Sequence, residues 1–152
     1  MAITASAFYG KTLEKFLIDT AGFSLESETA VSVMMVRDAS TPDFDADDFR
    51  NDVDAEVTAG SGYTAGGATL TGTELTVGSP AAGQLKYDAT DASWATSTIT
   101  DAMAAILYYS TGNSTTDQLV FLSDFVTAAT SSNGTFTIQW AANGILYLDY
   151  TP

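Results

Sequence analysis

The residues most able to do chemistry lie between Asp43 and Glu56. Seven acids (Asp43, Asp45, Asp47, Asp48, Asp52, Asp54 and Glu56) stand there against the single base Arg50. Asp43-x-Asp45-x-Asp47 reproduces the opening ligand spacing of a calcium loop, in which alternate carboxylates converge on one hard cation, and Asn51 and Asp54 fall at its ninth and twelfth positions. Against this, Asp48 stands where such a loop needs glycine, the final ligand is aspartate instead of glutamate, and no helix pair flanks the run. Calcium ligation by Asp43, Asp45, Asp47 and Asp54 is therefore the minor reading, and the expectation is no metal and no cofactor. A solvated, mobile acidic loop or a contact with a basic neighbour ranks above it. Phe44 and Phe49, set among the acids, favour the contact, because exposed aromatics serve as anchors. The interaction candidates are Phe44, Asp45, Asp47, Asp48 and Phe49.

Other chemistry is hard to assemble from this chain. Histidine and cysteine are absent, which removes Ser-His-Asp and Cys-His arrangements, thiolate catalysis and the usual zinc ligand sets. A catalyst would have to work with carboxylates, yet Asp88, Asp91, Asp101, Asp117, Asp124 and Asp149 all fall in or beside turn signals, where solvated capping is expected. Gly60-Ser61-Gly62-Tyr63-Thr64-Ala65-Gly66-Gly67 lacks the Gly-Lys-Ser/Thr ending of a phosphate loop and precedes a strand where a helix is required. Its glycines are read as permitting tight turns or close backbone contact. The expectation is a protein that is not an enzyme.

The elements that must position these residues are mostly β. Tyr9, Leu13, Phe16 and Leu17 form one apolar stripe of a short N-terminal helix, with Ser6 as N-cap and Lys11, Glu14 and Lys15 on the outer face. Strands are expected at Thr29 to Val36, Asp54 to Thr58, Ala68 to Val77, Gln84 to Asp88 and Gln118 to Phe125. Ile99 to Tyr109 reads as a central strand despite its helix-forming alanines. Gly134 to Trp140 alternates apolar and polar residues, and Asn143-Gly144 then predicts a hairpin with Ile145 to Tyr150, burying Phe136, Ile138, Trp140, Leu146 and Leu148. The expected fold is mostly β, a β-sandwich or jelly-roll-like domain of about eight strands with a short N-terminal helix. Residues 1–152 form one domain, with a helical segment over 1–22 and an acidic loop over 40–56.

With nineteen acids and five bases the net charge is -14. Such a surface repels nucleic acid and anionic membranes, so neither is an expected partner. Solubility and docking onto a basic surface both account for the charge. The opening residues show no basic, apolar leader and no run long enough to span a bilayer, so the chain is expected to be made and kept soluble.

Several segments resemble a widespread group of small structural proteins of tailed bacteriophage particles. Phe8-Tyr9-Gly10-Lys11 through Glu14-Lys15-Phe16-Leu17 is similar to their opening helix, and Gly62-Tyr63-Thr64-Ala65-Gly66-Gly67-Ala68-Thr69-Leu70-Thr71-Gly72 to their most recognisable block. Asp88-Ala89-Thr90-Asp91-Ala92-Ser93-Trp94 with Ser97-Thr98-Ile99-Thr100, and the closing Ser131 to Trp140, follow in the same order. The acidic stretch from Asp43 to Asp54 departs from that pattern. The resemblance implies a virion protein made in the host cytoplasm, with capsid decoration, or cementing of the shell, as the favoured role. The implied partners are the major capsid protein and copies of itself, a trimer ahead of a dimer. The alternatives are a tail, neck or fibre component and a calcium-dependent carbohydrate-binding module.

Overall fold

The computed structural model describes residues 3–18 and 22–151. In chain order its elements are β1 (Ala7–Phe8), α1 (Gly10–Leu17), β2 (Val31–Arg37), β3 (Ala68–Thr69), β4 (Glu74–Val77), β5 (Gln84–Asp88), β6 (Ala92–Ser97), β7 (Ala102–Tyr109), β8 (Gln118–Ala129), β9 (Gly134–Ile138) and β10 (Leu146–Asp149). The protein is mostly β, as the alternation and turn signals predict. Every described strand pair is antiparallel.

A five-stranded sheet, ordered β1-β8-β7-β2-β3, forms the centre, and a three-stranded sheet β10-β5-β4 and a two-stranded sheet β6-β9 accompany it. β7 is the middle strand of the large sheet, so the β reading of Ile106-Leu107-Tyr108-Tyr109 prevails over alanine's helix propensity. β2 reads Val-Ser-Val-Met-Met-Val-Arg and is buried from Val31 to Val36, so the large sheet is covered on both faces. On one face Val31, Val33, Met35 and Leu107 meet Tyr87 of β5, Trp94 of β6 and Phe136 and Ile138 of β9. On the other, Met34, Val36, Ile106 and Leu122 meet Tyr9, Phe44 and Val53, so the acidic segment is the second cover.

Several sequence expectations need correction. The C-terminal hairpin does not form: β9 pairs with β6 and β10 pairs with β5, so the Asn143-Gly144 turn passes the chain between two sheets. Pairing Phe136 with Trp94, and Leu146 with the buried Tyr87, places more ring surface in the core than a two-stranded hairpin could. Phe136 and Ile138 are buried as expected and Trp140 and Leu146 partly so, but Leu148 is 45% exposed. Asp54 to Thr58 is irregular, with strand-like pairing to the sheet at the Val36–Glu56 bridge and Val57 buried in the core, and Ala68 to Val77 divides into β3 and β4.

The helix starts later than Ser6 and turns a different face inward. Tyr9 is its N-cap and Thr12 is buried, its hydroxyl bonded to the Leu119 carbonyl, whereas Leu17 is 86% exposed. Ser6 Oγ instead accepts from the Asp124 N–H, and residues 1–2 and 19–21 of the helical segment lie outside the described residues. Gly10, unfavourable by propensity, has a packing reason: its N–H donates to the Phe44 carbonyl at 2.7 Å, and a Cβ would stand 3.1 Å from that same oxygen.

Ile138→Asp is expected to abolish cooperative folding, because the new charge would be buried without a partner. Leu148→Asp is expected to shift the urea midpoint little. Equal loss in both variants would contradict the strand pairing given above.

Candidate functional site

The acidic segment is built as a fixed cover. The Asp43 Oδ1 accepts from the Asp45 and Ala46 N–H groups, and the Asp47 carboxylate accepts from the Asp43 N–H at 2.9 Å. The Asp52 Oδ2 accepts from the Asp48 and Phe49 N–H groups, ahead of a single 3-10 turn over Arg50–Asp52. Asp54 accepts from Ser40 Oγ, Thr41 N–H and Thr41 Oγ1, closing the base of the segment. Aspartates next to small polar residues make such local bonds readily, which is why so acidic a run folds into turns.

These bonds engage carboxylates that a calcium loop would use. Asp43, Asp47 and Asp54 are turned toward backbone and hydroxyl donors of their own segment, and no group of three or more acids suited to a metal ion occurs among the described residues. Phe44 and Phe49 are also not free anchors. Phe44 is half-buried with its ring 5.3 Å from that of Tyr9, and Phe49 is half-buried with the Lys15 ammonium 4.8 Å from its ring centre. Lys15, expected on the outer face, instead reaches Phe49 and the Gln118 side chain. Asp45 stays exposed, and Asp48 contributes its carbonyl to the Leu119 N–H and to Gln118 Nε2.

Electrostatics follow this geometry. Partial burial pushes the Asp47 pKa up; the Asp43 N–H opposes this, while the nearby Asp52, Asp43 and Asp54 charges add to it. The Phe49 and Asp48 N–H groups hold Asp52 down. At Asp54, burial is outweighed by the Thr41 and Ser40 donors, and the net direction is also down. Beneath the segment the Tyr9 hydroxyl is raised, chiefly by burial and then by Asp47 and Asp54.

The strongest fastening was not visible in the sequence. Asp117, expected in a solvated turn, is fully buried, and its Oδ2 accepts from Arg50 Nε at 2.8 Å. Its Oδ1 accepts from the Thr111 N–H at 2.6 Å and from Thr111 Oγ1, while the Asp117 carbonyl takes the Arg50 N–H. The Arg50 guanidinium lies 5.4 Å from the Tyr108 ring centre. Tyr108 in turn donates to the Gly66 carbonyl, and Glu56 Oε1 accepts from Tyr63 Oη and the Gly66 N–H. The Gly-rich loop is thus an anchored turn, as its glycines suggest. Gly67 runs so close to β2, at φ +75°, that a Cβ would collide with the Val33 carbonyl. A signal was present in Arg50, the only base among seven acids, but its partner 67 residues away was not.

Beside this cover a cleft of about 240 Å³ is lined by Lys15, Phe23, Phe49, Tyr109, Thr111 and Gln118, among others. Phe23 stacks on Tyr109 at 4.6 Å. Compared with family models, curated proteins and solved structures, the chain matches none of them.

Two outcomes follow from these bonds. At Asp117 burial favours the neutral acid, but the Arg50 and Thr111 donors outweigh it and depress the pKa. Its contribution is therefore complete above the ordinary aspartate value and is lost as pH falls through the lower folded value. Arg50→Met is expected to cost about 3 kcal/mol at pH 7, since it leaves the buried carboxylate without its cation. That difference should narrow in acid as Asp117 takes up a proton, which urea denaturation at pH 7 and at about pH 3 checks. A chelator at constant ionic strength should leave the melting temperature unchanged. A chelator-dependent loss abolished by Asp45→Asn would put the metal loop ahead.

Proposed function

We propose that the protein is a non-catalytic structural component of a tailed-phage particle, a decoration or cement protein that docks on the outside of the head through its acidic face. The observation that carries this reading is the fixing of so many acids on one cover of the central sheet. Asp43 to Asp54 has its backbone held by its own turns and by the Arg50–Asp117 pair, while Asp45 projects into solvent. A charged surface held in place loses little conformational entropy on binding, which suits attachment to many identical basic sites. The resemblance of the Gly62–Gly72, Asp88–Trp94 and Ser131–Trp140 blocks to phage virion proteins points the same way. The absence of histidine and cysteine supports a role without catalysis.

On this reading affinity comes from charge more than from an aromatic anchor, because Phe44 and Phe49 are already engaged within the chain. Binding only to assembled shell stabilises the shell by mass action, and a small symmetric oligomer gains from several contacts at once.

The test is co-sedimentation of the purified protein with heads that lack it, across a salt series. Replacing Asp45, Asp47 and Asp48 together with Asn is expected to weaken attachment at least ten-fold without unfolding, since an amide oxygen at position 47 can still accept from the Asp43 N–H and Asp48 bonds through its carbonyl. Added salt should weaken the wild type in the same direction. Wild type that binds heads at no salt concentration would remove the head assignment and put a tail, neck or fibre position ahead.

A further inference from the structure

We infer that the outer edge of β10 is a self-association surface, on which a second copy of this chain pairs antiparallel through a two-fold axis at Leu148. β10 ends the three-stranded sheet, and among the described residues nothing pairs with its outer side. Natural edge strands are often blunted by lysine, proline or a bulge, and Leu146–Asp149 has none of these; its blunting is limited to its four-residue length and the terminal Asp149. Its one charge, Asp149, is turned to Gln84 Nε2 and to the Thr151 N–H.

The register shows what a partner would meet. Leu148 lies opposite Leu85, which lies opposite Val77, so these three form one apolar row across the sheet. The neighbouring row on the same face, Leu146–Tyr87–Leu75, packs into the core. The outer row overhangs it: Val77 is 75% and Leu148 45% exposed. Tyr147 and Tyr150, on the same edge, are each at least half exposed.

Backbone direction selects the pairing. The Tyr150 N–H donates inward to the Gly83 carbonyl, so by alternation Leu148 and Leu146 also bond toward β5 while Tyr147 and Asp149 direct their N–H and C=O groups outward. Antiparallel pairing about Leu148 then sets Tyr147 of each copy against Asp149 of the other, as hydrogen-bonded pairs. Leu148 meets Leu148 at the close, non-bonded position, and Leu146 faces Tyr150. No like charges stand opposite, and the two outer rows join into one apolar band.

The self-complementary register, together with the low local charge, selects a second copy as the occupant. A molecule of net charge -14 repels its own kind wherever its acids are displayed. No charged residue occurs from Phe125 to Leu148 or from Leu75 to Leu85, so the one charge on this edge is Asp149, which is bonded to Gln84. Two copies can therefore approach here, and a two-fold contact closes on itself instead of growing into fibres. This inference does not depend on the head assignment.

The experiment is sedimentation velocity of the purified full chain, without heads, from low to high salt. The wild type should form dimers, and salt should tighten them by screening mutual repulsion, opposite to its effect on head attachment. Leu148→Lys should raise the dimer dissociation constant at least ten-fold while near-UV circular dichroism stays unchanged. Tyr147→Pro, which removes an outward N–H and no bond to β5, should do the same. A wild type that stays monomeric at every salt and concentration would overturn the inference. So would dimers that Leu148→Lys leaves intact, or a Leu148→Lys effect confined to head binding, which would assign this edge to the shell.

Discussion

A sheet that is apolar on both faces has to be covered twice, and this constraint organises the molecule. Burial of Val31 to Val36 without interruption leaves β2 no solvent side, and Ala104 to Leu107 of β7 are likewise buried. One cover is conventional: two small sheets contribute Tyr87, Trp94, Phe136 and Ile138. The other is made from the N-terminal helix and the most acidic part of the chain, whose apolar contribution is Tyr9, Phe44 and Val53. A segment so poor in apolar surface cannot be held by the hydrophobic effect alone, which explains the density of carboxylate–backbone bonds and the buried Arg50–Asp117 pair.

The same constraint separates what could be read in the sequence from what could not. The alternation of Gly134 to Ile138 marks a strand with one buried side, and β9 is that strand. The continuous run of β2 marks a strand buried on both sides without naming the second cover. Asn143-Gly144 marks a turn correctly, but local geometry does not choose partners, and the distant Trp94 and Tyr87 surfaces outcompeted the adjacent hairpin. β6 was missed because Ala92-Ser93-Trp94-Ala95-Thr96-Ser97 carries only one large apolar residue, and its pairing with β9 supplies what its own propensity lacks. At the candidate site the acids were legible as a cluster, but their roles were not. Whether Asp117 is a solvated turn residue or a buried counter-ion depends on Arg50 arriving from 67 residues away.

Charge and apolar surface are thereby segregated. The acids from Asp43 to Asp54 lie on one cover of the central sheet, while the other cover holds β9, which has no charge, and β4, β5 and β10, whose few charges are Glu74, Lys86, Asp88 and Asp149. This polarity makes the proposed division of labour physically coherent: an acidic face for a basic lattice and an edge with the single charge Asp149 for a second copy. The two contacts should respond to salt in opposite directions, because one is attraction between unlike charges and the other proceeds against repulsion between like ones.

The central claim is that the acidic segment is a rigid cover and not a mobile loop, and amide hydrogen exchange addresses it residue by residue. The Arg50 N–H is bonded to the Asp117 carbonyl, Asn51 to Ser114, Val57 to Met35 and Leu119 to Asp48. These four amides should exchange with the slow rates of the β2 and β7 core, whereas the Asp45 N–H, held only by an exposed carboxylate of its own turn, should exchange faster. Exchange of Arg50, Asn51 and Leu119 at the rate of an unfolded chain, with β2 and β7 still protected, would contradict the account.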